Sequence, residues 1–137
     1  MTPEQLAANG SEDGHQAALF CWIQQNRGDA RLPGIDKMFA IPNGGARSAA
    51  TGARLKMTGV KRGVPDTFLP VPFGQYAGLF IEMKKPADRE KHTSKGRTSN
   101  EQDEFLSFLT AMHYKCEVCF TWEEAVAALK RYYMVQE

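Results

Sequence analysis

The chain is short of cysteine, of long apolar runs and of net charge, and each shortage excludes something. Three cysteines, Cys21, Cys116 and Cys119, are too few and odd in number for a disulfide framework. No uninterrupted apolar run approaches the roughly 18 residues of a membrane span. Met1 to Gly10 lacks the basic and apolar regions of a signal peptide, so a soluble, intracellular protein is the expectation. Seventeen Lys and Arg against sixteen Asp and Glu leave a net charge of +1, which taken whole marks neither a nucleic-acid nor a membrane partner. What is present suffices for one domain over 1–137: 42% hydrophobic and 10% aromatic residues can fill a core.

The small net charge hides an arrangement. Residues 46–97 carry eleven basic and four acidic side chains, whereas the flanks 1–45 and 98–137 are acidic, at −2 and −4. A basic middle masked by acidic ends can be plain solvated surface or an anion-binding region.

Residues 1–10 read as a flexible start. Ser11 is an N-cap, and Gln16, Leu19 or Phe20, and Ile23 recur at helical spacing to near Arg27. Residues 37–41 read as a short strand ended by Pro42-Asn43-Gly44-Gly45, and 46–63 as mostly irregular. Strands follow over 64–69, where Pro65 marks the opening, and over 78–84, the clearest of the set. Residues 85–97 form a basic loop expected to be mobile. Ser99 with Gln102 has the capping-box pattern, opening a helix whose inner face takes Gln102, Phe105 or Leu106, Leu109 and Met112 or His113. A strand over 114–120 and a helix capped by Thr121 with Glu124 complete the order α-β-β-β-α-β-α. That order predicts an α/β fold, a mixed β-sheet flanked by helices.

Chemistry concentrates on the third strand. Alternation sends Leu79, Ile81 and Met83 to one face and Phe80, Glu82 and Lys84 to the other. A carboxylate and an ammonium thus leave one face of a strand that otherwise reads as buried, and buried charges need partners or a metal. Asp66, on the neighbouring strand, can supply a second carboxylate. Two acidic oxygens with a backbone carbonyl and water suit a hard divalent cation such as Mg²⁺. Glu12 begins the stripe that continues through Gln16, Leu19 and Ile23, so it is placed to point inward, while Asp13 falls about 100° round the helix. The plain alternatives are a structural ion pair of Asp66 and Glu82 with Lys84 or Arg62, a dipole-favourable Glu12, and a Gln102 that only closes its capping box. Cys116 and Cys119 point to opposite faces of a strand, against a zinc site. His15, His92 and His113 lack ligand spacing and are expected in surface or core roles, and Trp22 and Trp122 in the core or an interface.

Pro65-Asp66 followed by Glu82-Met83-Lys84 resembles the PD-(D/E)XK motif of the restriction-endonuclease-like superfamily. The surrounding series is more specific: Glu12 and Gln16; Ile41-Pro-Asn-Gly-Gly45; Gly59-Val60; Gly63-Val-Pro-Asp66; Leu79 to Lys84; and Ser99 with Gln102. Together they resemble the VRR-NUC (virus-type replication–repair nuclease) domain, with its core over about 11–120. The resemblance implies a restriction-endonuclease-like core and metal-dependent hydrolysis of DNA phosphodiesters. It implies Mg²⁺ or Mn²⁺ held by Asp66, Glu82 and the Met83 carbonyl, with Glu12 joining directly or through water. Lys84 matches the lysine that positions the nucleophilic water, and Gln102 the glutamine that follows the motif. Stand-alone members, often encoded by phages, resemble Holliday junction resolvases, which implies a homodimer acting on branched DNA. A non-cleaving DNA-binding module, or an exonuclease or flap nuclease, is the alternative. Asn43, Gly44, Arg47, Lys61, Arg62, Lys85, Arg89, Lys91, Lys95 and Arg97 are the expected DNA contacts.

Overall fold

The computed structural model describes residues 1–42, 49–89 and 99–136. Its elements in chain order are α1 (Pro3–Leu6), α2 (Glu12–Gln25), β1 (Phe39–Ala40), α3 (Ala49–Met57), β2 (Thr67–Leu69), β3 (Leu79–Met83), α4 (Asn100–Ala111), β4 (Lys115–Cys119) and α5 (Trp122–Tyr132). The four strands form one mixed sheet in the order β1-β2-β3-β4. The first two pairings are antiparallel, and β3 runs parallel to β4, with α4 as the crossover that a parallel pair requires. The α/β architecture read from the sequence is therefore the observed one.

The alternation on β3 holds residue by residue. Leu79, Ile81 and Met83 are no more than 1% exposed and pack with Leu19 and Ile23 of α2 and with Ala125 and Leu129 of α5. Burying each such aliphatic side chain contributes about 1.5–3 kcal/mol, so this face is the main source of cohesion. The hydroxyl of fully buried Thr67 donates to the Ile81 carbonyl at 2.8 Å, tying β2 to β3 beyond the ladder itself. Tyr132 and Tyr133 close the far end of the core, their hydroxyls donating to the Val71 and Pro33 carbonyls at 2.7 and 2.8 Å.

Several local expectations need correction. Residues 1–10 contain a helical turn: Thr2 and Gln5 form a complete capping box, Pro3 occupies the first turn, and α1 packs on α2. Residues 49–57 are helical rather than irregular. That segment has alanines at 49, 50 and 53 and basic residues in its last turn, both favourable, but no apolar stripe to betray it. The first strand is only two residues long, because Ile35–Lys37 form a 3-10 turn. The strand β2 itself begins at Thr67, and cross-strand bonding reaches back to Asp66, whose carbonyl accepts the Ile41 N–H at 2.7 Å, just after the proline that lacks a donor. On α4 only Leu109 is buried; Met112 and His113 are exposed, and His113 ends the helix with φ 71°. His15 is a core residue whose Nδ1 accepts the Trp122 backbone N–H at 3.0 Å, joining α2 to the start of α5. Trp22 and Trp122 pack partly buried against the core. Buried Cys119 has its thiol pushed up to about 12 by burial and serves as a packing residue.

Candidate active site

On the second face of β3, Glu82 is buried at 5% exposure and Lys84 is half-buried. Thr67 pairs with Ile81, so one step further along the same antiparallel register sets Asp66 opposite Glu82. The hydrogen bonds show the result. The Asp66 backbone N–H donates to Glu82 Oε1 at 3.2 Å, and Asp66 Oδ2 accepts the Met83 N–H at 2.9 Å. Both carboxylates are thus oriented by backbone donors of the opposite strand. The Met83 peptide faces β2, on the Asp66 side, because Lys84 N–H on the next residue donates across to the Cys119 carbonyl of β4.

Gln102 bridges the two charged groups of β3. Its Nε2 donates to Glu82 Oε2 at 2.6 Å, and its Oε1 accepts from Lys84 Nζ at 3.1 Å. Lys84 Nζ itself lies 3.6 Å from Glu82 Oε2. The sequence does half of what the capping-box pattern suggests. Ser99 Oγ accepts the Gln102 N–H at 3.1 Å, while the Gln102 side chain turns to the sheet instead of back to the cap. A close approach holds α4 in place. Gly63 has φ +87°, and a Cβ there would lie 2.4 Å from the Glu101 carbonyl oxygen. Only glycine lets the chain leading into Asp66 pass this near the first turn of α4.

The electrostatics are those of a site with too much negative charge. Burial, and next the facing carboxylate of Asp66, push the Glu82 carboxyl up to about 7, against the lowering effects of the Gln102 hydrogen bond and Lys84. Glu12, the first residue of α2, also has its carboxyl raised, by partial burial and next by Asp66, with Lys84 opposing. Glu12 therefore lies within electrostatic reach of the pair. The residue itself is exposed, at the start of the stripe, and burial on α2 begins one turn on at His15. Among the described residues no three His, Cys, Asp or Glu side chains already converge closely enough to hold an ion. The chemistry of the donor set nevertheless fits a hard divalent cation. Two carboxylates face one ammonium, and Mg²⁺ binds through one or two carboxylates while keeping several waters.

The remaining expected contacts scatter. Lys61 and Arg62 are exposed on the approach to Gly63. Lys85 is exposed and, with Ser11, Glu12, Asp13 and Asp88, lines an open groove of about 360 Å³ beside the site. Arg89 is engaged by the fold: its guanidinium pairs with Glu124 and lies 4.6 Å from the centre of the Phe120 ring. Asn43, Gly44, Arg47, Lys91, Lys95 and Arg97 fall outside the described residues. The sequence reading missed buried Asp88, whose charge also raises Glu12, and Glu124 as the anchor of Arg89. It missed too a row of aromatic rings beside the carboxylates. Phe80, on the face of Glu82 by simple alternation, was the available signal for that row.

Comparison with known proteins identifies the family and the fold. The profile of the VRR-NUC domain matches residues 10–121. A solved structure described as a "VRR_NUC domain protein" superposes with a TM-score of 0.71 at 24% identity, covering 93% of this chain and 91% of that one, a likeness of fold. No curated protein matches.

Proposed function

The chain belongs to the VRR-NUC domain family, and from that premise we propose that it is a metal-dependent DNA endonuclease acting on branched DNA such as four-way junctions. The observation that carries the proposal is the linked set of Asp66, Glu82, Gln102 and Lys84. It combines two carboxylates oriented by backbone N–H groups with an ammonium fixed beside them through Gln102. A phosphodiester resists water because its anion repels the nucleophile and its leaving oxygen develops charge. Asp66, Glu82 and the Met83 carbonyl would hold Mg²⁺ or Mn²⁺, with Glu12 joining through water. The bound ion would supply positive charge at the phosphoryl oxygen and acidify coordinated water. Lys84 Nζ contributes preorganised charge that costs no reorganisation when the transferring phosphate becomes more negative. Gln102 keeps that ammonium from collapsing fully onto Glu82, since its amide occupies one Glu82 oxygen and holds Lys84 by the other end. Lys61, Arg62 and Lys85 would meet backbone phosphates. A homodimer would present two such sites to the two strands of a symmetric junction.

The test is a panel of labelled junction, flap and duplex DNA incubated with Mg²⁺, with Mn²⁺ and with EDTA. Metal-dependent products from the junction are expected, lost in Glu82→Ala and Lys84→Ala while DNA binding survives. Full activity in either variant refutes the assignment. Binding without products under every metal condition makes the protein a DNA-structure-binding module, and products released one nucleotide at a time from ends make it an exonuclease.

A further inference from the structure

The sheet face that carries Glu82 also carries a row of aromatic rings running straight across the strands. Phe39 pairs with Phe68, and Phe68 with Phe80, as direct cross-strand partners. Their rings follow the register: Phe39 meets Phe68 edge-on at 5.8 Å, and Phe68 stacks on Phe80 at 4.3 Å and 28°. Tyr114, just before β4, closes the row with edge contacts to Phe68 and Phe80 at 5.8 and 5.4 Å. None of these four rings belongs to the buried core; Phe68, Phe80 and Tyr114 are half-buried, and Phe39 is 48% exposed at the outer end. The row lies beside the carboxylates. Asp66 and Glu82 sit two residues along β2 and β3 from Phe68 and Phe80, a step of about 6.8 Å on the same face.

We propose that this row is a stacking platform for an unpaired nucleobase of the DNA strand whose phosphate lies at Asp66 and Glu82, an inference that rests on the nuclease reading above. A base in a continuous duplex offers its faces only to its neighbours, so an aromatic platform selects nucleotides that are unstacked, at a gap, branch or single-stranded end. The occupant must suit both rows at once. A second copy of the chain seated on the rings would bring its surface against Glu82 and Lys84 and would have to desolvate their charges, which is costly without matched partners. A nucleotide carries what the two rows require: an apolar ring with a π-face, and an anion one short step away for the ammonium of Lys84. Phe39 is the ring left open to receive the base, since Phe68 is already stacked on Phe80.

The experiment compares binding of two DNAs by the full chain in EDTA, where cleavage is suppressed. One is a continuous duplex, and the other the same duplex carrying one unpaired 2-aminopurine at a gap. Wild type should bind the gapped DNA more tightly and quench 2-aminopurine fluorescence on stacking. Phe39→Ala should weaken binding of the gapped DNA roughly tenfold, with duplex affinity unchanged. Phe39→Trp should keep both affinity and quenching. Because Phe39 is half exposed and touches only Phe68 within the row, the alanine variant should stay folded and unfold within a few degrees of wild type, which the same samples check. Equal affinity of wild type for both DNAs, or an equal loss on both in Phe39→Ala, overturns the platform while leaving the nuclease reading intact. Conversion of a dimer to a monomer by Phe39→Ala in sedimentation would make the row a self-association surface and overturn it too. Failure of wild type to bind either DNA, both in EDTA and with Ca²⁺ filling the carboxylate site without supporting cleavage, defeats the nuclease reading itself.

Discussion

Replacing Glu82 by glutamine should make the metal-free protein more stable at neutral and alkaline pH, although it removes a central residue of the candidate site. In the unfolded chain this carboxyl ionises near its ordinary 4.5; in the fold it ionises near 7, because burial and the facing Asp66 disfavour its charge. The fold therefore binds this proton more tightly than the unfolded chain does. The stability that follows is fully present below pH 4.5 and is lost as pH rises through about 7. The gap between those two values corresponds to about 3 kcal/mol. Glutamine does not titrate and so escapes that loss. Its one cost is local: Glu82 accepts from both the Asp66 N–H and Gln102 Nε2, and an amide offers a single oxygen, so one hydrogen bond worth about 1 kcal/mol disappears. Glu82→Gln should thus be less stable than wild type by about 1 kcal/mol at pH 4.5 and more stable by about 2 kcal/mol at pH 8.

Urea denaturation in EDTA at several pH values between 4.5 and 8, for both proteins, measures this directly. Glu12, also raised, leaves a residual slope of the same sign in both, so the difference between the proteins isolates Glu82. A difference that stays flat across this range refutes the picture of an under-compensated buried carboxylate. Added Mg²⁺ at pH 8 extends the test: it should raise the wild-type midpoint, by about 2.7 kcal/mol at one hundred times its dissociation constant, and leave the glutamine variant's midpoint much less affected.

Three further perturbations follow from the same geometry. Gln102→Ala removes the bridge between Glu82 and Lys84 without removing either charge, and cleavage should fall about 10–100-fold while DNA affinity holds, measured as single-turnover rates against binding isotherms. Gly63→Ala should destabilise the protein by more than Gly74→Ala: both glycines have positive φ, a strain of roughly 1–2 kcal/mol for alanine, but only Gly63 lies against the Glu101 backbone. Equal shifts in denaturation midpoint would show that the contact yields freely. Arg89→Ala should leave the salt dependence of DNA affinity unchanged because Glu124 and Phe120 hold that side chain, whereas Lys61→Ala and Arg62→Ala should each lower the slope by about one.

How far the sequence could be read depended on which physical rule each feature obeys. The division of β3 into an aliphatic face and a face with Glu82 and Lys84 needs only the two-residue period, and every residue of it stands where that period puts it. The mixed sheet was legible for a related reason, since capped amphipathic helices alternating with apolar runs leave few arrangements. Helix α3 was not legible, because nearly all of its described side chains face solvent and periodicity reports only on buried faces. Glu12 starts the α2 stripe one turn before burial begins at His15, so it is exposed, yet it stands on the side of Asp66 and Lys84 that the stripe indicates.

The site divides along the same line. That Asp66 and Glu82 belong together was readable from their strands, but that they stand opposite one another depends on register, and Pro65 left the start of β2 open. Gln102 shows the limit most clearly. Its position beside Ser99 was correct, and the backbone cap formed, yet its side chain had two satisfactory destinations: the N–H of the cap, or a buried carboxylate and an ammonium. A charge-assisted bond to a group that has lost its water is roughly twice as strong as a neutral bond at an exposed helix end. The sheet therefore wins the side chain. That preference exists only once Glu82 is buried, so the family resemblance could mark Gln102 as a site residue, but no window of sequence around position 102 contains the physical reason its side chain leaves the cap.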